Sequence, residues 1–141
     1  MIIREARPED SSAICRISSR ELGYPCTEAL VKRQMEAVDR KREAVFVAEI
    51  NGGVCGFIHA EQYCTLYMEP MVNILGLAVS QEYQRQGAGR ALLAQAERWG
   101  KNLGLRGVRL NSGMKRTEAH KFYRAMGYGS EKAQLRFLKD F

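Results

Sequence analysis

The sequence predicts one α/β domain over residues 1–141. Three observations support this fold class. Residues 71–79 are apolar at nearly every position, which is typical of a strand covered on both faces. The Asn-Gly-Gly sequence at residues 51–53 separates two β-rich runs and is the strongest hairpin signal in the chain. Helical periodicity recurs on both sides of these strands, so we expect helices to cover the sheet.

The predicted elements alternate along the chain. Strands are predicted over residues 2–6, 43–50, 54–62, 71–79, 107–112 and 134–138. Helices are predicted over residues 8–22, 27–38, 88–103 and 117–126. Thr27 is typical of a helix N-cap, and Gly104 and Gly127 are typical of helix ends. Gly76 indicates a β-bulge or a close backbone approach, whereas residues 64–70 are predicted to be irregular.

Composition places the chain among ordinary globular proteins. Hydrophobic residues make up 45% and charged residues 27%, and no stretch approaches the roughly 20 apolar residues of a membrane span. The first residues lack the apolar block of a secretory signal, so we expect a cytoplasmic protein without membrane attachment. The four cysteines (Cys15, Cys26, Cys55 and Cys64) lack metal-site spacing and disulfide-rich density, so we expect free thiols and no metal.

The positive charge is concentrated in one segment. Residues 81–116 contain eight basic and two acidic side chains, which equals the net charge of +6 of the whole chain. The first eighty residues contain nine basic and eleven acidic side chains. This distribution favours a small polyanionic ligand over a long phosphate backbone, and no nucleic-acid recognition motif is present. We therefore expect no nucleic-acid partner.

The most informative local sequence is Gln-Arg-Gln-Gly-Ala-Gly-Arg at residues 84–90, between the buried strand and a helix. Unpaired N–H groups and partial positive charge at a helix start receive phosphate oxygens. Gly87 and Gly89 let a ligand approach the backbone and tolerate positive φ, and Arg85 and Arg90 add charge. Neither a P-loop nor a complete dinucleotide fingerprint is present. The pattern predicts a diphosphate site; a tight turn without a ligand is the alternative.

Two motifs together resemble a known family. Residues 84–89 resemble the Gln/Arg-x-x-Gly-x-Gly/Ala signature of the GNAT superfamily of N-acetyltransferases, and residues 119–128 resemble its second motif, with Phe122-Tyr123 before a Gly-aromatic end. The order of nearly all elements also fits the family. The resemblance implies a central mixed, mostly antiparallel sheet of six to seven strands, flanked by about four helices and splayed between the fourth and fifth strands.

The resemblance also implies an activity. The chain is expected to transfer an acetyl group from acetyl-CoA to a primary amine of a small molecule or peptide by direct attack, without a metal. The alternative is a non-catalytic acyl-CoA-binding sensor or regulatory module on the same fold. Antibiotic, polyamine, amino acid and protein N-terminus all remain open as acceptors, with Tyr24, Tyr63 and Tyr67 as candidates to contact the amine. A homodimer through the C-terminal strand is a further expectation.

By the same resemblance, the coenzyme site runs from the buried strand to the helix start. The pyrophosphate is expected at the loop residues Gln84, Arg85, Gln86, Gly87, Ala88, Gly89 and Arg90. The pantetheine is expected along Leu77, Ala78 and Val79, with Asn111, Ala119 and Tyr123 completing the coenzyme site. A backbone N–H near Leu77 is expected to polarise the thioester oxygen.

Tyr123 matches the family position that protonates the departing thiolate. Its reference pKa of about 10 keeps a phenol protonated at neutral pH. Packing on the apolar helix face is the alternative for this side chain.

A general base is predicted on the strand that begins at residue 54. Cys55, Phe57, His59 and Glu61 are expected to share one face because side chains alternate along a strand. Glu61 and His59 are the best candidates, with Glu69 behind them. Ordinary polar residues at a strand end are the alternative.

Overall fold

The computed structural model describes residues 1–130 and 132–141, which form two compact units, Met1–Leu110 and Asn111–Phe141. The strands of the first unit are β1 (Ile2–Glu5), β2 (Glu43–Ile50), β3 (Gly53–Thr65), β4 (Met68–Val79) and β5 (Val108–Leu110). Its helices are α1 (Ser11–Glu21), α2 (Glu28–Glu36) and α3 (Ala88–Asn102), with 3₁₀ turns at Pro8–Asp10 and Gln81–Tyr83. The second unit contains α4 (Thr117–Ala125). Among the described helices, none combines the length and apolar composition needed to cross a bilayer.

The strands lie in the order β1-β2-β3-β4-β5. The first four pair antiparallel, and β5 pairs parallel with β4. The predicted mixed, mostly antiparallel sheet with four α-helices is therefore confirmed. The predicted number of strands is wrong, because the sheet of the described residues has five strands and not six to seven.

The strand predicted over residues 134–138 accounts for part of this difference. These residues adopt no regular secondary structure. Leu135 and Phe137 are 81% and 88% exposed. Alternation in sequence stabilises a strand only when a neighbouring strand supplies hydrogen bonds and a covered face, and the described sheet provides neither for this segment.

The prediction that residues 64–70 are irregular is also wrong. β3 and β4 continue as a hairpin until Thr65 pairs with Met68, so that the turn is formed by the exposed Leu66 and Tyr67. A register shift between Tyr63 and Thr65 obscures the alternation expected of a strand. The hairpin predicted at residues 51–53 is confirmed, with φ of 53° at Asn51 and 79° at Gly52.

Helices pack on both faces of the sheet. On one face, Ile14 and Ile17 of α1 form a buried cluster with Phe57 of β3. Alternation turns Ile58 to the opposite face, where a Cβ added to Gly56 would meet Leu92 of α3 at 3.2 Å. These contacts fix α1 and α3 on opposite sides of β3 and β4.

An ion-pair network joins β1, β2 and the start of α1. Two nitrogens of Arg4 donate to the buried carboxylate of Asp10 at 2.8 Å each, and the N–H of Arg7 donates at 2.7 Å. Arg4 also contacts Glu49 at 2.7 Å. The hydrogen bond from Arg4 lowers the pKa of Asp10 below its ordinary value. This network stabilises the fold on the side of the sheet that lies farthest from β5.

Candidate functional site

The middle of β4 contains a β-bulge. His59 pairs with Gly76 and Ala60 pairs with Ile74, so Leu75 is the extra residue, and its side chain is 49% exposed. The sequence indicated a β-bulge or a close backbone approach at Gly76, and the bulge lies at the neighbouring Leu75. A bulge bends its strand and interrupts the regular hydrogen-bond ladder, so β4 changes direction at this point.

Beyond the bulge, β4 has a strand on only one side. Leu77, Ala78 and Val79 pair with β3, whereas β5 pairs only with residues 72–74 of β4. In the described part of the chain, no strand covers the other edge of β4 from Leu75 to Val79. Such an edge can hydrogen-bond an extended ligand as though the ligand were an added strand. The pairing between β4 and β5 ends at Ile74. The predicted splay between these two strands requires such an early end of their pairing.

The glycine loop, defined as residues 84–90, follows this edge. The Gln84 side chain donates to the backbone oxygen of Val79 at 3.0 Å and so ties the loop to the end of β4. Arg85 and Gly87 adopt left-handed backbone conformations, with φ of 65° and 91°. For a residue other than glycine this conformation costs about 1–2 kcal/mol. The expected positive φ is found at Gly87, whereas Gly89 lies inside α3 and is not among the positive-φ residues.

The loop leads directly into the N-terminus of α3. Among the described residues, Ala91 is the first in this helix whose N–H donates to the chain's own backbone, at 3.0 Å to the oxygen of Gly87. No side chain caps the helix at Gly87. Arg85 and Arg90 are both exposed beside this helix start. The arrangement presents N–H groups, the helix dipole and two cations to solvent, and it can bind phosphate oxygens.

A row of polar side chains crosses the sheet from β2 to β5. This polar row consists of Glu43, His59, Glu61, Asn73 and Arg109. His59 Nε2 donates to Glu43 Oε1 at 2.9 Å. Asn73 Nδ2 donates to Glu61 Oε2 at 2.8 Å, and Arg109 donates to Asn73 Oδ1 at 2.6 Å. The structure thus places each candidate base in a half-buried, hydrogen-bonded group: His59 with Glu43, and Glu61 with Asn73 and Arg109.

Three members of the polar row, Glu43, Asn73 and Arg109, were not among the residues predicted to form the site. The signal for Asn73 was present, because it is a polar residue inside an otherwise apolar strand. Arg109 had no local signal, since its partners come from other strands.

The aromatic residues expected to contact an amine differ in their surroundings. The guanidinium of Arg109 lies over the ring of Tyr63, 4.4 Å from its centroid, which is a cation–π contact. Tyr24 and Tyr67 are 62% and 85% exposed.

The predicted alternation on β3 fails at Cys55. Glu49 pairs with Val54 and Ala48 pairs with Gly56, so Cys55 is the extra residue of a second bulge. Its side chain is buried, which raises the pKa of the thiol. Alternation therefore does not place Cys55 with His59 and Glu61.

In the second unit, Tyr123 lies on α4 between two aromatic neighbours. Its ring centroid is 5.2 Å from that of Phe122 and 6.0 Å from that of Tyr128. Burial raises the pKa of Tyr123 above its ordinary value of 10, so the phenol stays protonated well above neutral pH. Ala119 is half-buried on the same helix, and Asn111 is exposed.

The four cysteines do not form a metal site. Among the described residues, no group of three or more cysteine, histidine or acidic side chains has an arrangement that could hold a metal ion. Cys15 and Cys26, however, lie in contact, with their sulfur atoms 3.5 Å apart. Their separation in sequence gave no indication of this contact.

Comparisons with known proteins agree with this geometry. A family model described as the acetyltransferase (GNAT) family matches residues 11–128. An uncharacterized N-acetyltransferase of Chlorobaculum tepidum is 33% identical over 131 residues, which cover 89% of this chain and 74% of the relative. The aminoglycoside N(6')-acetyltransferase type 1 of Stenotrophomonas maltophilia is 27% identical over 132 residues, which cover 89% of this chain and 84% of the relative.

The fold is similar to that of AAC(6')-Iy, solved in complex with the bisubstrate analogue CoA-S-monomethyl-acetylneamine. The TM-score is 0.82 and the identity 21%, over 99% of this chain and 98% of that one.

Proposed function

The chain belongs to the acetyltransferase (GNAT) family, and from this premise we propose that it is an N-acetyltransferase that uses acetyl-CoA to acetylate a primary amine. The family model spans residues of both compact units. We therefore propose that residues 1–141 act as one catalytic domain. The observation that carries the proposal is the bulged strand β4, whose unpaired edge leads into an uncapped helix N-terminus.

Acetyl-CoA supplies a thioester whose acetyl group is open to attack by an amine. The N–H groups of residues 85–90 bind its pyrophosphate, and Arg85 and Arg90 add attraction. Gln84 fixes the loop to Val79. The edge of β4 at residues 77–79 pairs with the pantetheine amides, and a backbone N–H near Leu77 stabilises the developing oxyanion. Asn111 and Ala119 complete the coenzyme site by resemblance to the family.

Side chains provide the two proton transfers. Tyr123 donates its phenolic proton to the departing thiolate; the raised pKa keeps this proton in place at neutral pH. Glu61 accepts the proton of the amine. Asn73 holds Oε2 of Glu61, and no described residue donates to Oε1, which is therefore the atom assigned to receive the proton. His59 is the second candidate base, and its hydrogen bond to Glu43 holds the imidazole in place.

A small molecule is the acceptor class that the comparisons favour. The second relative acts on aminoglycosides by its name, and AAC(6')-Iy, solved with CoA-S-monomethyl-acetylneamine, is named an aminoglycoside N-acetyltransferase. We propose a small-molecule amine, with aminoglycosides as the first compounds to test and short peptides as the second. The acidic side chains of the polar row, Glu43 and Glu61, suit a cationic acceptor.

The test has two stages. Acetyl-CoA should raise the melting temperature of the purified protein, because a ligand that binds only the folded state stabilises it. Gly89→Trp, which places an indole at the helix start, should abolish the shift. A wild-type protein that ignores acetyl-CoA would contradict the proposal.

The second stage measures thiol release from acetyl-CoA against a panel of amines. With a matched amine, Tyr123→Phe should lower kcat by about 100-fold, because it removes a general acid. Tyr83→Phe, in the 3₁₀ turn Gln81–Tyr83, is the matched control, because no catalytic or binding role is assigned to Tyr83, and it should leave kcat unchanged. Acetyl-CoA binding without thiol release across the whole panel would indicate the non-catalytic sensor instead.

A further inference from the structure

Two thiols face each other in the first unit, and neither is assigned to catalysis. Cys15 lies in α1 and Cys26 lies just before α2; their Sγ atoms are 3.5 Å apart. The Cys15 thiol donates to the backbone oxygen of Cys26 at 3.2 Å. Cys26 Sγ also lies 3.7 Å from Ser19 Oγ. The contact between the two sulfur atoms and the hydrogen bond to the Cys26 backbone together hold α1 next to the segment before α2.

The arrangement is close to that of a bonded pair. A disulfide has an S–S distance of about 2.05 Å, and these sulfurs are already in van der Waals contact at 3.5 Å. Both side chains are half-buried, so each retains some access to solvent. The other two cysteines lack this combination, because Cys55 is buried and Cys64 is exposed.

We propose that Cys15 and Cys26 form a reversible dithiol–disulfide site that is oxidised by low-molecular-weight disulfides of the glutathione type. The Cys26 thiolate attacks one sulfur of the small disulfide, whose S–S bond breaks and releases one small thiolate. Cys15 then attacks Cys26 Sγ, the mixed disulfide breaks, and the second small thiolate leaves. Two protein thiols are oxidised, one small disulfide is reduced, and the two protons end on the two released thiols.

The surroundings of Cys15 support this order of events. Burial and the neighbouring Cys26 sulfur raise the pKa of Cys15, and its thiol donates to the backbone oxygen of Cys26, so Cys15 is the poorer first nucleophile. Cys26 is therefore assigned the first attack. The resulting bond would close the loop between α1 and α2 and restrict its conformations, including that of Tyr24.

The experiment uses the full chain, equilibrated in buffers of reduced and oxidised glutathione and then analysed without reduction. Trypsin cleaves after arginine and lysine except before proline, so it spares the Arg7–Pro8 bond; Cys15 therefore lies on the peptide of residues 5–16 and Cys26 on the peptide of residues 21–32. The expected result is the loss of the Cys15 and Cys26 thiols without bound glutathione, a covalent link between these two peptides, and full reversal by dithiothreitol; the exposed Cys64 takes up glutathione separately.

Matched variants identify the site. Cys15→Ser should trap glutathione on Cys26, whereas Cys64→Ser should still lose two thiols and yield the linked peptides. The proposal is overturned if wild-type protein keeps the Cys15 and Cys26 thiols in the oxidising buffer, or if glutathione is found separately on Cys15 and Cys26. The linked peptide from wild-type protein decides the matter even if a variant folds poorly. Neither outcome depends on acetyltransferase activity.

Discussion

The glycine loop and the polar row are built from different parts of the chain. In the glycine loop, the groups proposed to face a ligand are backbone N–H groups, and Arg85 and Gly87 adopt positive φ there. In the polar row, the groups are side chains from four strands, positioned by hydrogen bonds between strands. In the proposed function, binding of the donor therefore depends on backbone shape, whereas proton transfer depends on side-chain identity. Substitutions should therefore separate the two functions.

The largest effect is expected at Glu61. Glu61→Gln keeps the shape and the contact with Asn73 but removes the proton acceptor, so kcat should fall by about 100-fold. Acetyl-CoA affinity, measured by calorimetry, should not change. Glu69→Gln tests the third candidate base; Glu69 is an exposed carboxylate on the paired strand, so its substitution should leave kcat unchanged. Equal losses of kcat in the two variants would remove Glu61 from its role as the base.

The converse effect is expected at Gly87. Valine cannot adopt φ of 91° without strain, so Gly87→Val should displace the loop and weaken acetyl-CoA binding by about tenfold. Gly104→Val is the matched control. Gly104 also has a positive φ, of 73°, and a Cβ added at either glycine would meet no other atom within 4 Å. Both variants should lose stability, but only Gly87→Val should lose affinity. A similar loss of affinity in both would attribute the effect to folding.

A smaller effect is expected at Asn73, which positions Glu61. Asn73→Ala removes the hydrogen bonds to Glu61 and Arg109, so the carboxylate loses its orientation. We expect kcat to fall severalfold and the pH–rate profile to shift, while acetyl-CoA affinity stays constant. Asn73→Asp adds a negative charge next to Glu61, so its pH–rate profile should differ from those of the wild type and of Asn73→Ala. A pH–rate profile that is identical in all three proteins would contradict the positioning role.

The smallest effect on activity is expected at Asp10, whose network belongs to neither region. Its pKa is lowered by Arg4, so it contributes stability that is present above its unfolded pKa of about 3.9 and lost as pH falls through the lower, folded value. Asp10→Asn should reduce the free energy of unfolding by about 2–3 kcal/mol at neutral pH. The melting temperature of the variant should also fall less steeply than that of the wild type as the pH is lowered. Its kcat should remain unchanged under conditions where it is folded. Asp140→Asn, at an exposed position, should match wild type in every respect.

The two regions also differ in how far the sequence alone could predict them. The glycine loop is contiguous, so its glycines, arginines and place between strand and helix are all visible in one short stretch. The polar row depends on strand register, which brings Asn73 opposite both Glu61 and Arg109. Alternation placed His59 and Glu61 on one face, but it could not identify the strands beside them.

The two errors in the predicted fold have the same origin. Residues 134–138 alternate like a strand, yet the described sheet offers them no partner; residues 64–70 look irregular, yet pairing between β3 and β4 makes most of them strands. Pairing is a property of two segments, whereas a periodicity is read from one.

The two ends of helix α3 differ in how tightly they are held: its C-terminal end is closely packed, whereas its N-terminal end has no capping side chain. Near its C-terminus, Gly100 packs so closely on Val72 that a Cβ would have no room, whereas its first turn begins at a glycine without a capping side chain. In the free protein, the amide hydrogens of that first turn should exchange quickly with deuterium, while those near Gly100 should be the slowest of the helix. A bound diphosphate would accept hydrogen bonds from the N–H groups that no side chain caps. The degree to which acetyl-CoA slows exchange in this one turn would therefore measure how well the diphosphate caps the helix.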